Sequence, residues 1–143
     1  MLTQREVNRA FNAAGLAIKA WSSALAKTVN TLNYQIDSVL YSKAASDLAA
    51  LTGYDVADGY TKVLSVFLDT SGTFTYLSSA AIANTATINV RNDIVVEPDQ
   101  KTKALIGFIK IKNASGSTFT GGTTALDASN VTVTYIDIYY PEY

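Results

Sequence analysis

The sequence predicts an α+β protein, a long coiled-coil-like N-terminal helix followed by a small antiparallel β-sandwich, and three observations carry that expectation. Apolar residues of the first third recur at alternating steps of four and three, the spacing of one helical face. No Gly or Pro stands between Leu16 and Thr52 to punctuate such a helix. Beyond Gly53 the pattern turns into short runs of β-branched and aromatic residues separated by turn residues.

The start of the helix is written by Thr3 as N-cap, Glu6 three residues on as the second half of a capping box, and Leu2 with Val7 as a hydrophobic staple. From there Val7, Phe11, Ala14, Ile18, Trp21, Leu25, Leu32 and Val39 fall on one stripe. Within it Phe11, Ile18, Leu25, Leu32 and Val39 return every seventh residue, as in a left-handed coiled coil. The flanking positions, among them Ala10, Gly15, Ala17, Ser22 and Ala24, are small or apolar rather than charged, so the stripe is broad. A broad stripe predicts a homo-oligomer of three or more chains, a trimer first, with these eight residues as its interface. The alternative is a helix that simply covers the sheet that follows. Thr28, Val29, Asn30, Thr31 and Asn33 are poor helix formers and mark a place for a break, and Gly53 suits a C-terminal cap. The expected organisation is therefore a helical oligomerisation or docking segment over residues 1–52, a linker over 53–61 and a β-sandwich over 62–143.

In that second part the expected strands are Lys62 to Leu68, Thr73 to Leu77, Thr85 to Val96 with an interruption near Asn92, Ala104 to Lys112, Thr118 to Thr120, and Asn130 to Tyr140. Leu105, Ile106, Phe108, Ile109 and Ile111 are apolar on both faces, which makes their strand central. Two turns share a design, Asp69-Thr70-Ser71-Gly72 and Asn113-Ala114-Ser115-Gly116, each opened by Asp or Asn and followed by Thr-Phe-Thr. Ordinary hairpin chemistry used twice explains both.

Composition excludes several chemistries. The 143 residues contain no His and no Cys, which removes Ser/His and Cys/His nucleophilic pairs, disulfides and the usual ligands of transition metals. No cofactor is expected. Charged residues make up 16%, against about 25% in a typical soluble domain, and that shortfall predicts a surface covered by partners. Residues 1–52 hold five Lys/Arg and three Asp/Glu, the remainder six and nine, so neither part carries the polybasic footprint of nucleic-acid or anionic-membrane binding. Lys101, Lys103, Lys110 and Lys112 alternate along and ahead of one strand, and their neighbours Glu97, Asp99 and Asp127 read as an ordinary charged face. No stretch reads as a signal peptide or a membrane span.

The carboxylate pairs closest in sequence, Asp55/Asp58 and Glu97/Asp99, sit beside turn residues and read as solvated loop acids. Asp55-x-x-Asp58-Gly59 lacks the acidic ladder of a calcium loop. Gly121-Gly122-Thr123-Thr124 lacks the lysine of a phosphate loop and reads as a tight turn. Tyr54, Tyr60, Tyr76, Tyr135, Tyr139, Tyr140 and Tyr143 suit core and inter-subunit packing, with a glycan or protein contact surface as the alternative.

The runs "LIGFIKI", "STFTGGTTALDA" and "VTVTYID", with the earlier "VLSVFLDTSGTFTYL", resemble the C-terminal β-modules of tailed-bacteriophage virion proteins of the head-fibre, decoration and tail-associated kind, over residues 62 to 141. That resemblance implies a non-enzymatic structural component located in the virion, often homotrimeric, with capsid or tail proteins as its other partners. The expectation from a different class is a surface adhesin, a receptor- or glycan-binding module.

Overall fold

Among the described residues, the first third of the chain forms strands and no helix. The computed structural model describes residues 8–87 and 102–141. Their regular elements are all strands: β1 (Arg9–Ala10), β2 (Leu16–Ile18), β3 (Ala26–Thr28), β4 (Leu32–Ile36), β5 (Val39–Lys43), β6 (Tyr60–Asp69), β7 (Phe74–Ser78), β8 (Ile82–Ala83), β9 (Lys103–Asn113) and β10 (Val131–Asp137). The expected α+β class and its coiled coil are thereby corrected to all-β. The capping residues Leu2, Thr3, Glu6 and Val7 lie outside the described residues, as does most of the strand expected over Thr85 to Val96.

The correction has physical reasons. Gly15, Ser22, Asp37 and Ser38 all take positive φ (68°, 59°, 51° and 62°), which no helix tolerates in its interior. Asp37-Ser38 makes a two-residue turn with both residues left-handed, the backbone that matches the twist of a hairpin, and Ile36 pairs directly with Val39 across it. On β4, Leu32, Tyr34 and Ile36 point to the core and alternate with Asn33 and Gln35, a period of two hidden inside the heptad series. The alanines that raised helix propensity serve close backbone approach instead. Ala10, Ala14 and Ala26 are at most 1% exposed, and their carbonyls accept from the amides of Tyr140 (2.8 Å), Asn30 (3.1 Å) and Leu48 (2.9 Å).

In the second part four expected strands are present as β6, β7, β9 and β10, β8 was not among those expected, and Thr118 to Thr120 makes a single bridge at Phe119 instead of a strand. β6 and β9 pair antiparallel from Thr61 opposite Lys112 to Asp69 opposite Lys103, with a bulge between Val66 and Phe67. β10 flanks β9, β7 flanks β6, and β8 continues beside Tyr60 and Thr61, giving the order β10-β9-β6-β7. Val63, Leu64, Val66 and Leu68 of β6 and Ile106, Ile109 and Ile111 of β9 are fully buried. Strands so apolar on both faces need cover on both.

One face is covered by the first third of the chain. A three-stranded sheet, β1-β4-β5, and the β2-β3 hairpin bring Ala10, Leu16, Leu32, Tyr34 and Ile36 into one cluster with Leu64, Val66, Leu68, Ile106, Ile109 and Ile111. The sandwich expected over residues 62–143 thus draws its second layer from residues before 53. Three polar contacts fasten the layers: Leu16 N–H to Asp137 Oδ1 (3.0 Å), Tyr34 Oη–H to Asp69 O (2.9 Å) and Asn8 Nδ2–H to Lys103 O (3.2 Å).

Gly107 sits tightly against both its sheet neighbour β10 and Leu16 of the N-terminal layer. A Cβ built there would lie 2.4 Å from Ile136 O and 2.5 Å from a Leu16 methyl. Gly107→Ala should destabilise the protein by about 1–3 kcal/mol, as overpacking does. Urea denaturation measures this, and an unchanged midpoint would show that the sheet and the N-terminal layer are not in contact there.

Candidate functional site

The feature open to a partner is the loop joining β2 to β3. Trp21, the single tryptophan of the chain, stands at its tip and is 90% exposed. The loop is nevertheless held on several sides. Lys19 N–H donates to Leu25 O (2.9 Å), Ser23 N–H to Ala20 O (3.1 Å) and Leu25 N–H to Ser23 Oγ (3.0 Å), which closes it internally. Ser22, at φ 59°, directs its amide to Asp127 Oδ2 (2.9 Å), and Leu126 N–H donates to Ser23 O (2.8 Å). Lys19 Nζ meets Asp47 Oδ2 at 2.6 Å, a pair exposed enough to add little stability. The indole is therefore an apolar surface presented in advance on an ordered support, the arrangement in which tryptophan dominates binding energy.

The other expected interface residues do not join it. Ala14 (0%) and Leu32 (1%) are core residues, Ile18 and Leu25 are half-buried beside the hairpin, and Phe11 packs under the Arg9 guanidinium, 5.0 Å from its ring centre. Val39 is 51% exposed at the start of β5, beside Leu40 at 64%. Val7 lies outside the described residues. The heptad stripe has no counterpart because seven is odd, so along a strand such residues would face alternately in and out, and the turns break even that relation.

The loop carboxylates are committed to backbone amides. Asp55 Oδ1 accepts from Gly121 N–H and Asp58 Oδ1 from Gly116 N–H, each at 2.9 Å, so the two acids fasten separate turns instead of converging. Asp69 Oδ1 accepts from Ser71 and Thr73 N–H, both at 2.9 Å; the Thr73 amide is the main reason its carboxyl is held below the usual range. Glu97/Asp99 and Lys101 lie outside the described residues. Among the described residues no three His, Cys, Asp or Glu side chains are placed to hold a metal, and no helix is long and apolar enough to cross a membrane.

The paired turn design is present twice with different outcomes. Gly72 and Gly116 take φ of 78° and 84°. The first turn closes the β6–β7 hairpin. After the second, Phe119 instead bridges to Val56, because buried Asn113 holds that turn inward, donating from Nδ2 to Val56 O (2.9 Å) and Ser117 O (2.7 Å) while Ser115 N–H and Oγ–H donate to its Oδ1. Gly121 is the tight turn expected: a Cβ there would meet Leu51 O at 1.9 Å.

Tyrosines divide between packing and surface. Tyr34 stacks on Tyr41 (5.5 Å), Tyr54 meets Tyr76 edge-on (5.6 Å), and Tyr76 Oη–H donates to Ala49 O (2.7 Å). Tyr60, Tyr139 and Tyr140 are 42%, 45% and 54% exposed, and Tyr143 lies outside the described residues. Sequence reasoning placed Trp21 in a buried seam. The signal that would have found its true setting is the Trp21-Ser22-Ser23 turn between two short apolar runs.

No protein-family model, curated protein or solved structure matches this chain.

Burial first, and then the Asp127 carboxylate, push the Tyr135 hydroxyl up to about 12. Its proton is retained in the fold at pH values where the unfolded chain has released it, so this contribution to stability is complete below about pH 10 and is lost as pH rises toward 12. Tyr135→Phe should flatten that alkaline fall, measured as urea midpoints between pH 9 and 12. An identical pH profile in the variant would contradict the assignment.

Proposed function

We propose that this protein is a non-enzymatic structural component of an assembly, of the kind found in tailed-bacteriophage virions, which docks on a neighbouring subunit through Trp21. The observation that carries the docking role is the 90% exposed indole on a loop fastened by Asp127 and Leu126. An indole in water is unfavourable, and covering it against a partner recovers that free energy with little ordering cost because the loop is already set. The non-catalytic part rests on the absence of His and Cys from the sequence and on Asp55, Asp58 and Asp69 being spent on backbone amides. The virion setting rests on the resemblance of residues 62 to 141. A homo-oligomer or a contact with capsid or tail proteins would use the same surface.

Because Trp21 is the single tryptophan, its fluorescence reports the docking directly. Emission should be that of a water-exposed indole in dilute protein and should move to shorter wavelength on assembly. Trp21→Ser should leave the β circular dichroism intact and weaken association by about 2 kcal/mol or more, roughly thirtyfold, in light scattering or virion incorporation. Normal incorporation of the variant would sink the docking role. A glycan array that is positive with the parent and negative with the variant would favour the adhesin reading, which the same exposed ring also supports.

A further inference from the structure

The outer face of the β1-β4-β5 sheet contains an inversion of the usual order. Ala10, Leu32, Tyr34 and Ile36 face the core, so the cross-strand row Arg9, Gln35, Leu40 faces away from it. On that row Leu40 is 64% exposed, while Arg9 and Gln35 are 8% and 6% exposed. Arg9 is the sole arginine among the described residues, and a guanidinium stays charged under all ordinary conditions. Its Nε is enclosed and makes no hydrogen bond, and the ion pair found among the described residues is Lys19 with Asp47, not one to Arg9. The face of Phe11, 5.0 Å away, supplies partial compensation. It does not replace a counter-ion, because a desolvated charge without one is strongly unfavourable.

We propose that Arg9 is the base of an oxyanion site on this face, taking a carboxylate or phosphate group through the terminal nitrogens of its guanidinium. The planar fork of the guanidinium matches both groups in two parallel hydrogen bonds. Asp47 is engaged with Lys19, and Asp55, Asp58, Asp69, Asp127 and Asp137 with backbone amides. The remaining described carboxylate, Asp37, stands in the β4–β5 turn, where its N–H donates to Asn8 Oδ1 (2.8 Å) beside Arg9 in the chain, so the experiment includes it as a rival for the guanidinium.

The full chain has three arginines, Arg5, Arg9 and Arg91, so a nitrogen-15 spectrum of the arginine Nε–H groups is simple, and Arg9→Lys assigns the Arg9 signal by removing it. Sodium acetate, inorganic phosphate and sodium chloride are titrated at constant ionic strength. The expected result is a saturable shift of the Arg9 signal with acetate, with phosphate or with both, and a rise of a few degrees in thermal midpoint that Arg9→Gln abolishes. A shift with acetate alone assigns carboxylates, and one with phosphate alone assigns phosphate groups. Absence of a saturable shift, or an equal shift with chloride, overturns the proposal. So does an Arg9 signal that Glu6→Gln, Asp37→Asn or Glu142→Gln displaces in anion-free buffer, because the counter-ion would then be the chain's own. If neither Arg9 variant folds, the titration of the parent chain decides alone.

Discussion

The pairing of β6 with β9 is the constraint on which the rest depends. Two long strands, apolar on both faces, cannot be left with either face in water, and nothing in their own hairpin neighbourhood supplies the missing layer. Tyr60 through Asp69 and Lys103 through Asn113 therefore dictate that another part of the chain must be laid over them. At roughly 25 cal/mol per Å² of apolar surface removed from water, this demand outweighs the weak local preferences of an alanine-rich segment, which amount to a few tenths of a kcal/mol per residue. The N-terminal third becomes strands because it is recruited as cover.

That ordering of effects decides what could be read from the sequence. β6, β7 and β9 were legible within two residues and β10 within three, since their period-two and doubly apolar runs state both the element and its centrality. Residues before 53 were not. Their heptad spacing, the missing Gly and Pro after Gly15, and the alanines pointed to a helix, while the competing signals were brief: Leu32-Asn33-Tyr34-Gln35-Ile36 and the turn at Asp37-Ser38. A turn made by Asp and Ser at positive φ has no strong local signature, since Asn-Gly is the sequence that announces it. The cluster from Thr28 to Asn33, read as a weak point in a helix, instead runs from the end of β3 through the connecting segment into β4. Cover for the sheet was the alternative to self-association and was read as a helix; strands supply that cover.

The candidate site was legible only in composition. Asp55 and Asp58 were read as acids beside turn residues, and both accept from turn amides. The place where a partner could sit was not legible, because Trp21 in a helical stripe would be buried and Trp21 on a hairpin tip is exposed. The identity of the residue was informative and its environment was not. Arg9 is the opposite case, a charge that sequence reasoning would leave in solvent and that the fold encloses.

The two ends of the described chain are stitched to each other. Tyr140 N–H reaches Ala10 O at 2.8 Å, and Leu16 N–H reaches Asp137 across a separation of 121 residues. A chain emerging from the ribosome cannot close this core until residues up to Tyr140 have been made, because β1 and β2 wait for partners synthesised 121 or more residues later. Folding of this kind is governed by distant pairings and belongs to the slow, milliseconds-to-seconds class of β proteins. Until closure, the doubly apolar β6 stands uncovered, so high local concentrations of the nascent chain favour aggregation before they favour assembly.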